Sequence, residues 1–295
     1  MLTGRILKGI GGFYYIDTDN AIYECKARGI FRKDKVTPLV GDKVKISVLD
    51  EENKKGIIEE IEERQTELGR PPIANINKAL IVFAIKEPDP HLSLLDRFII
   101  LAQKSGLEIV IIITKIDLDN DNKIDELKDI YKHAGYKIIP VSIKKNINID
   151  EVIKELKDSI IVFAGPSGVG KSSLLNSIDS NLKLETGEVS DKIKRGKHTT
   201  RHSELLKLEF GGMVADTPGF SSLTLDDIEE YELKEYFVEF EEYEDHCKFG
   251  GNCLHENEPK CKVKEAVKNG KLSNIRHESY LQLLNEIREA NNRRY

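Results

Sequence analysis

The segment Gly165-Pro166-Ser167-Gly168-Val169-Gly170-Lys171-Ser172 limits the fold more than any other part of the chain. It matches G-x-x-x-x-G-K-S/T, follows the apolar run Ile160-Ile161-Val162-Phe163-Ala164, and leads into Ser173-Leu174-Leu175-Asn176, which reads as a helix. A buried strand, a glycine-rich loop and a helix start form the setting in which backbone N–H groups curl around phosphate oxygens. Lys171 is expected to reach the β- and γ-phosphates and Ser172 to ligate Mg²⁺, with Ser173 following in the first helical turn. At ordinary residue frequencies a chance match somewhere in the chain has odds on the order of one or two in a hundred.

Two further strand ends carry matching chemistry. Asp216-Thr217-Pro218-Gly219 follows the strand-like Gly212-Met213-Val214-Ala215. It offers a carboxylate for Mg²⁺ and a backbone N–H, at Gly219, for the γ-phosphate. Thr114-Lys115-Ile116-Asp117 closes the apolar run Ile109-Val110-Ile111-Ile112-Ile113. A carboxylate there accepts from the N1–H and exocyclic amine of guanine, a donor pair that adenine lacks, so Asp117 selects GTP over ATP. Lys115 would lay its stem on the base. The usual motif begins with Asn, and Thr114 departs from it. Ser142, at a later strand end, is a candidate to give its backbone N–H to the guanine oxygen.

The order of these pieces is unusual. An ordinary GTPase places the phosphate loop first and the base motif last; here residues 114–117 and 142 precede 165–172, which precede 216–219. That is a circular permutation, tolerable where original termini lie close together at the surface. Between loop and Asp216 runs Arg195-Gly196-Lys197-His198-Thr199-Thr200-Arg201, where either Thr199 or Thr200 is a candidate Mg²⁺ ligand and γ-phosphate sensor. Phe220 stands where many GTPases carry the glutamine that orients the attacking water, which leaves His198 as the candidate for that task. The permutation also leads us to expect residues 195–201 and 216–220 beside the C-terminal part, with the N-terminal part near the base-recognition half.

The flanks read differently. Residues 1–68 hold short strands between turn signals, as in Gly12-Phe13-Tyr14-Tyr15-Ile16 and Asp42-Lys43-Val44-Lys45-Ile46-Ser47-Val48. A five-stranded oligonucleotide-binding (OB) barrel fits that length. Its turn block, residues 26–35, is basic and contains Phe31, as a nucleic-acid-facing loop would be, although a solvated hairpin tip reads equally well. Residues 69–224 alternate apolar strands with helices, the signature of a parallel sheet covered on both faces. From 225 to 295 the chain is acidic and helical. Of its four cysteines, three cluster with a histidine as Cys247, Cys253, His255 and Cys261. Three thiolates and an imidazole make a closed structural Zn²⁺ site, with His246 a less suitable alternative ligand. Cys25, alone in a strand, reads as core.

Composition narrows the classes further. A net charge of −6 argues against a globally basic nucleic-acid coat, though not against a local basic face. No apolar run approaches the ~20 residues a bilayer span needs, and Met1-Leu2-Thr3-Gly4-Arg5 opens no signal peptide, so a cytoplasmic protein is expected.

These features together resemble the RsgA (YjeQ/YloQ) family of circularly permuted GTPases, down to Gly196-Lys197-His198-Thr199-Thr200, Asp216-Thr217-Pro218-Gly219-Phe220 and Leu94-Leu95-Asp96-Arg97. The resemblance implies three parts: an RNA-binding OB-fold domain at 1–68, a permuted GTPase domain at 69–224 and a helical zinc-binding domain at 225–295. It also implies GTP hydrolysis stimulated by the small (30S) ribosomal subunit during its late maturation. His198 falls on the family's suspected catalytic histidine, the partners are the subunit with its rRNA, and the chain is expected to act as a monomer. The alternatives are a non-catalytic RNA-binding module that uses GTP as a structural ligand, and an ATPase, against which Asp117 speaks.

Overall fold

The computed structural model describes residues 1–29, 31, 36–69, 71–182, 184, 203–215, 220 and 223–292. The candidates His198, Thr199, Thr200, Asp216 and Gly219 lie outside the described residues.

Five strands, β1 (Leu2–Ile10), β2 (Phe13–Thr18), β3 (Ile22–Ala27), β4 (Lys43–Asp50) and β5 (Lys55–Ile61), close into a barrel in the order β1-β2-β3-β5-β4. β3 and β5 pair in parallel, while the other neighbours are antiparallel. Period-two alternation turns Ile6, Ile16, Tyr23, Cys25, Val44, Ile46 and Ile58 inward, all at most 1% exposed. Cys25 is thus a core residue, as its setting suggested. Of the basic block 26–35, residues 30 and 32–35 lie outside the described residues. Phe31 packs against the hydrophobic core, and Arg28 pairs with Glu59 at 2.7 Å, so the aromatic is spent on packing. A short hairpin, β6 (Glu67–Gly69) and β7 (Pro72–Ala74), joins the barrel to the central sheet. Gly41, at φ +94, lies so near this hairpin that a Cβ would stand 1.9 Å from Ala74 O.

The central sheet runs β10-β9-β8-β11-β13-β12. Its strands are β8 (Lys78–Ala84), β9 (Glu108–Thr114), β10 (Lys137–Pro140), β11 (Ile160–Ala164), β12 (Leu205–Lys207) and β13 (Met213–Ala215). All pairs are parallel except β12 with β13. β8 is buried along its whole length because both faces are covered. Ala79, Ile81 and Phe83 meet α1 (Leu92–Lys104) and α2 (Lys123–Tyr131), while Leu80, Val82 and Ala84 meet α3 (Ile149–Leu156) and α4 (Lys171–Ile178). His91 caps α1 by accepting from Leu94 N, and Gly106, at φ +69, takes the chain out of it.

The C-terminal module packs 3₁₀ turns and α5 (Glu241–Glu244), α6 (Lys262–Lys268) and α7 (Asn274–Asn292) around Phe237, Phe240, Tyr280, Leu283 and Leu284. An ionic cluster welds it to the sheet domain. Arg276 of α7, 2% exposed, donates Nη1 to Asp96 Oδ1 on α1 at 2.5 Å. Its Nε and Nη2 go to Glu239 at 2.7 and 3.0 Å, and Tyr131 Oη donates to the same Asp96 oxygen at 2.8 Å. Arg276 also lies over the rings of Phe237 and Tyr131, 4.4 and 5.1 Å from their centroids. Removing one partner of such a desolvated pair costs about 3–5 kcal/mol, because a buried charge is stranded.

The barrel docks elsewhere than the chain order suggested. Lys8 of β1 forms an isolated bridge with Glu204 and a 2.7 Å ion pair with the same residue, and Lys207 of β12 pairs with Asp17 at 2.7 Å. β12 is the sheet edge opposite β10 and β9, whose ends carry the candidate base-recognition residues. The tie from barrel to sheet is therefore made where the chain resumes after residues 185–202, and away from Asp117. Leu205, an apolar residue at the start of β12, belongs to the same continuous core as the barrel interior and β8, β9, α1 and α2.

Candidate nucleotide site and metal centre

Parallel strands deliver their loops to one edge of the sheet, and β9 and β11 flank β8. That adjacency brings together motifs far apart in sequence. β11 ends at Ala164, and Gly165 then turns at φ +134, where a Cβ would sit 2.1 Å from Val82 O of β8. Only glycine allows the phosphate loop to leave the sheet so close to its neighbour. Gly168 and Gly170 also adopt positive φ, +79 and +95, and Gly170 caps α4.

Thr114, fully buried at the end of β9, has its hydroxyl 2.5 Å from Val169 O in the phosphate loop and 3.2 Å from Phe83 O of β8. Its single proton is best spent on the shorter contact. The residue that departs from the usual base motif therefore spends its hydroxyl on the phosphate loop and stitches that loop to β9. Lys115, in a left-handed turn at φ +57, donates Nζ to Gly168 O at 3.0 Å and to Glu87 O. Next comes the 3₁₀ turn Ile116–Leu118, whose Ile116 N–H reaches Val141 O at 3.3 Å.

Asp117 Oδ1 accepts from Ser142 Oγ at 2.6 Å. That hydrogen bond, helped by Lys144 and Lys145, holds the carboxyl below its usual range, so it is an ionised acceptor. Ser142 itself does something other than expected. Its backbone N–H goes to Ile147 O at 3.3 Å, and its hydroxyl orients Asp117 while accepting from Lys145 N at 3.1 Å. Sequence alone offered no signal for that hydroxyl contact, since the two residues meet only through β9–β10 pairing.

Lys171 opens α4 and donates Nζ to Gly165 O at 2.8 Å and Pro166 O at 2.6 Å. Burial lowers its ammonium to about 8, with no carboxylate among the described residues opposing the shift. A partly buried cation with no acidic partner among the described residues, held by loop carbonyls, suits an anionic ligand. Ser172 and Ser173 stand beside it in the first turn of α4.

The second candidate centre lies in the C-terminal module. Cys247, Cys253, His255 and Cys261 are all buried, with their ligand atoms within 4.8 Å of one another. Cys247 and Cys261 Sγ are 3.8 Å apart, close to the ~3.8 Å edge expected of two sulfurs each about 2.3 Å from a tetrahedral ion. His255 presents Nδ1 to the sulfurs, 3.4 Å from Cys261 and 3.8 Å from Cys247. Backbone N–H groups at the start of α6 point at the sulfurs as well, Lys262 N to Cys247 at 3.2 Å and Lys264 N to Cys261 at 3.5 Å. Burial pushes the Cys253 thiol up to about 12 and the His255 imidazole down to about 4. A dication reverses the first cost by stabilising thiolates and uses the neutral imidazole that burial favours. The donor set, spacing and seclusion fit a closed metal site, and His246 is not part of it.

Several structural residues were not singled out by sequence reasoning. Glu239 and Arg276 look like surface charges in the sequence, and Asp96 and Arg97 entered only as part of a family-like string. No compositional signal separates a buried arginine from an exposed one.

Residues 61–226 match the family model described as RsgA GTPase, and residues 3–58 match the RsgA N-terminal domain. The chain belongs to the RsgA family. Among its relatives is the small ribosomal subunit biogenesis GTPase RsgA of Alkaliphilus metalliredigens, 52% identical over 295 residues and all of both chains. The protein of that name from Caldanaerobacter subterraneus is 48% identical, covering 100% of this chain and 98% of its own. Among solved structures, YjeQ from Thermotoga maritima superposes with a TM-score of 0.85 at 37% identity, covering 97% and 98% of the two chains. YloQ, titled a circularly permuted GTPase, gives 0.82 at 41% identity over 98% and 96%. This RsgA-family chain is accordingly a GTPase, with a permuted nucleotide domain behind an OB-like barrel.

Both centres of this RsgA family member can be probed by substitution. Thr114→Val removes the hydroxyl and leaves a buried carbonyl without its donor, a loss of about 1–3 kcal/mol. Titration with fluorescent nucleotides should show GTP and GDP weakened to a similar degree, because the phosphate loop serves both; unchanged affinities would break the link between Thr114 and the loop. Metal analysis should find one zinc per chain, and Cys253→Ser should lose it along with the hydrogen-exchange protection of α6. A zinc-free wild-type chain with α6 fully protected would remove the metal from the fold.

Proposed function

We propose that this GTPase acts on the small ribosomal subunit during its late maturation, hydrolysing GTP to GDP and phosphate with stimulation by the subunit. The observation that carries the nucleotide half of this reading is the stitching of Thr114 and Lys115 to the loop 165–172, two or three residues before the Asp117 that Ser142 orients. The relatives named for small-subunit biogenesis, alike over the full chain, support the ribosomal half.

In this reading Asp117, aimed by Ser142, accepts from the guanine edge, while Lys115 flanks the base. Backbone N–H groups of residues 165–170 and the Lys171 ammonium hold the phosphates. Preorganised donors of this kind stabilise charge that spreads over the γ-phosphoryl oxygens in the transition state. Ser172, with Asp216 and Thr199 or Thr200, would hold Mg²⁺, which neutralises phosphate charge. Phe220 has no polar group for the attacking water and packs on Phe98 at 6.3 Å, so orienting that water falls to His198. Cys247, Cys253, His255 and Cys261 would hold a structural zinc that keeps the C-terminal module folded. The domains run as 1–68, 69–224 and 225–295, with the outer two meeting rRNA. Among the described residues no helix is long and apolar enough to cross a membrane, which suits a cytoplasmic monomer working on ribosomal particles.

Phosphate release under multiple turnover tests this function directly. The rate should rise at least tenfold with purified small subunits and stay at its basal value with large subunits or buffer alone. Equal rates in all three conditions would favour a module that binds GTP as a structural ligand.

A further inference from the structure

His255 stands apart from the other three residues of the metal centre in how it is held. Its backbone sits at φ +56, in the left-handed region that a residue with a Cβ avoids unless its surroundings impose it. Its ring turns Nδ1 toward the sulfurs, so in a neutral imidazole that gives Nδ1 to a metal the hydrogen is on Nε2. A metal-bound imidazole is ordinarily oriented by donating that hydrogen to a carboxylate or a carbonyl. Here Nε2 is buried and has no hydrogen-bond partner among the described residues. What aims the ring therefore acts through the backbone beneath it and through the rings packed on it, Phe240 at 5.6 Å and Tyr280 at 6.4 Å between centroids.

That backbone is held at every polar group from Leu254 N to Glu256 N. Glu258 accepts from Leu254 N with Oε1 at 2.8 Å and from Glu256 N with Oε2 at 2.9 Å, so one carboxylate brackets His255 from both sides. Tyr280 Oη donates to Leu254 O at 2.8 Å. His277 Nε2 lies 2.8 Å from His255 O, and since a carbonyl only accepts, that nitrogen carries a hydrogen. The remaining group, the His255 N–H, is given to the Cys253 sulfur. Tyr280 and His277 are buried on α7, beyond the last of the four ligands in the chain. Arg288 of the same helix donates Nη1 to Glu256 Oε2 at 2.9 Å.

We propose that Glu258, His277 and Tyr280 are positioning residues for the metal centre: they impose the left-handed turn at His255 and so aim its Nδ1 at the ion. α7 is then part of the centre although it supplies no ligand, and the affinity for metal depends on it. The inference rests on reading Cys247, Cys253, His255 and Cys261 as the zinc ligands. A turn without these partners is no longer held in a conformation that L-residues disfavour. An imidazole with no tether on Nε2 then has no hydrogen bond of its own to keep it facing the sulfurs.

The test is the zinc affinity of the full-length protein, measured by competition with a chromogenic chelator, together with the ligand-field absorption of its Co²⁺-substituted form. Wild type is compared with Glu258→Gln, Tyr280→Phe, Ile287→Val and Cys253→Ser. Glu258→Gln keeps the size of the side chain but turns an amide NH₂ toward one of the two backbone N–H groups, and Tyr280→Phe removes only the hydroxyl. Each should weaken zinc about tenfold and shift the Co²⁺ bands, because the imidazole no longer meets the ion squarely. Ile287→Val trims buried packing on α7 about two turns beyond Tyr280. It should lower the melting temperature while affinity and bands stay at wild-type values. Wild-type affinity and bands in Glu258→Gln and Tyr280→Phe, with Cys253→Ser losing the metal, would overturn the positioning role. Equal losses of affinity in Ile287→Val would overturn it too, since the contacts would then be general support of the fold. Wild-type zinc binding by Cys253→Ser would instead overturn the metal-site reading beneath it.

Discussion

The contact between the Thr114 hydroxyl and Val169 O, 2.5 Å inside a fully buried crossing, is the joint on which the nucleotide site depends. It locks the end of β9, which carries Asp117, to the loop after β11, which carries Lys171. Lys115 adds a second stitch to Gly168 O. The candidate base-recognition residues and the phosphate loop are thereby held in a fixed relation, a preorganisation that would spare a bound nucleotide the cost of assembling its own site. Permutation does not disturb this. β8, β9 and β11 are neighbours in the sheet whichever of them comes first in the chain, so their loops emerge side by side.

The two outer modules are attached by different physics. The barrel meets β12 through half-exposed pairs, Lys8–Glu204 and Lys207–Asp17, of the sort worth about 0–1 kcal/mol each, together with shared apolar packing. The C-terminal module is held by the desolvated Asp96–Arg276–Glu239 cluster, whose partners cannot separate without stranding charge. In the chain, β12 comes after residues 185–202, and Leu223 after 216–219.

Much of this was legible in sequence because its signals are local. The phosphate loop needs glycines at fixed offsets, and buried parallel strands such as β8 need unbroken apolar runs. The Cys-His spacing is set by ligand geometry, and all four residues named for it meet in space. What sequence could not supply depends on which elements become neighbours. Thr114 reads as a weakened base ligand in sequence, but β9 crosses the phosphate loop and gives its hydroxyl to Val169 O; Ser142 reads as a backbone donor, but Ile147 claims its N–H. The barrel was expected beside the base-recognition half because it precedes that half in the chain, yet Lys8 of β1 bridges Glu204 and Asp17 of β2 pairs with Lys207 of β12, ties to the opposite edge. Arg276 and Glu239 gave no sign of burial, since the cluster they enter draws on elements far apart in the chain.

The central claim is that three separated motifs form one guanine-nucleotide site whose base specificity resides in the Asp117 carboxylate. Competition binding of GTP, XTP and ATP to wild type and Asp117→Asn tests it most directly. An amide at this position presents a donor where guanine also donates, and it pairs instead with the carbonyl that xanthine carries there. The account predicts that the variant loses GTP by about a hundredfold or more and gains XTP, with ATP excluded by both proteins. Unchanged preference for GTP over XTP in Asp117→Asn would contradict it.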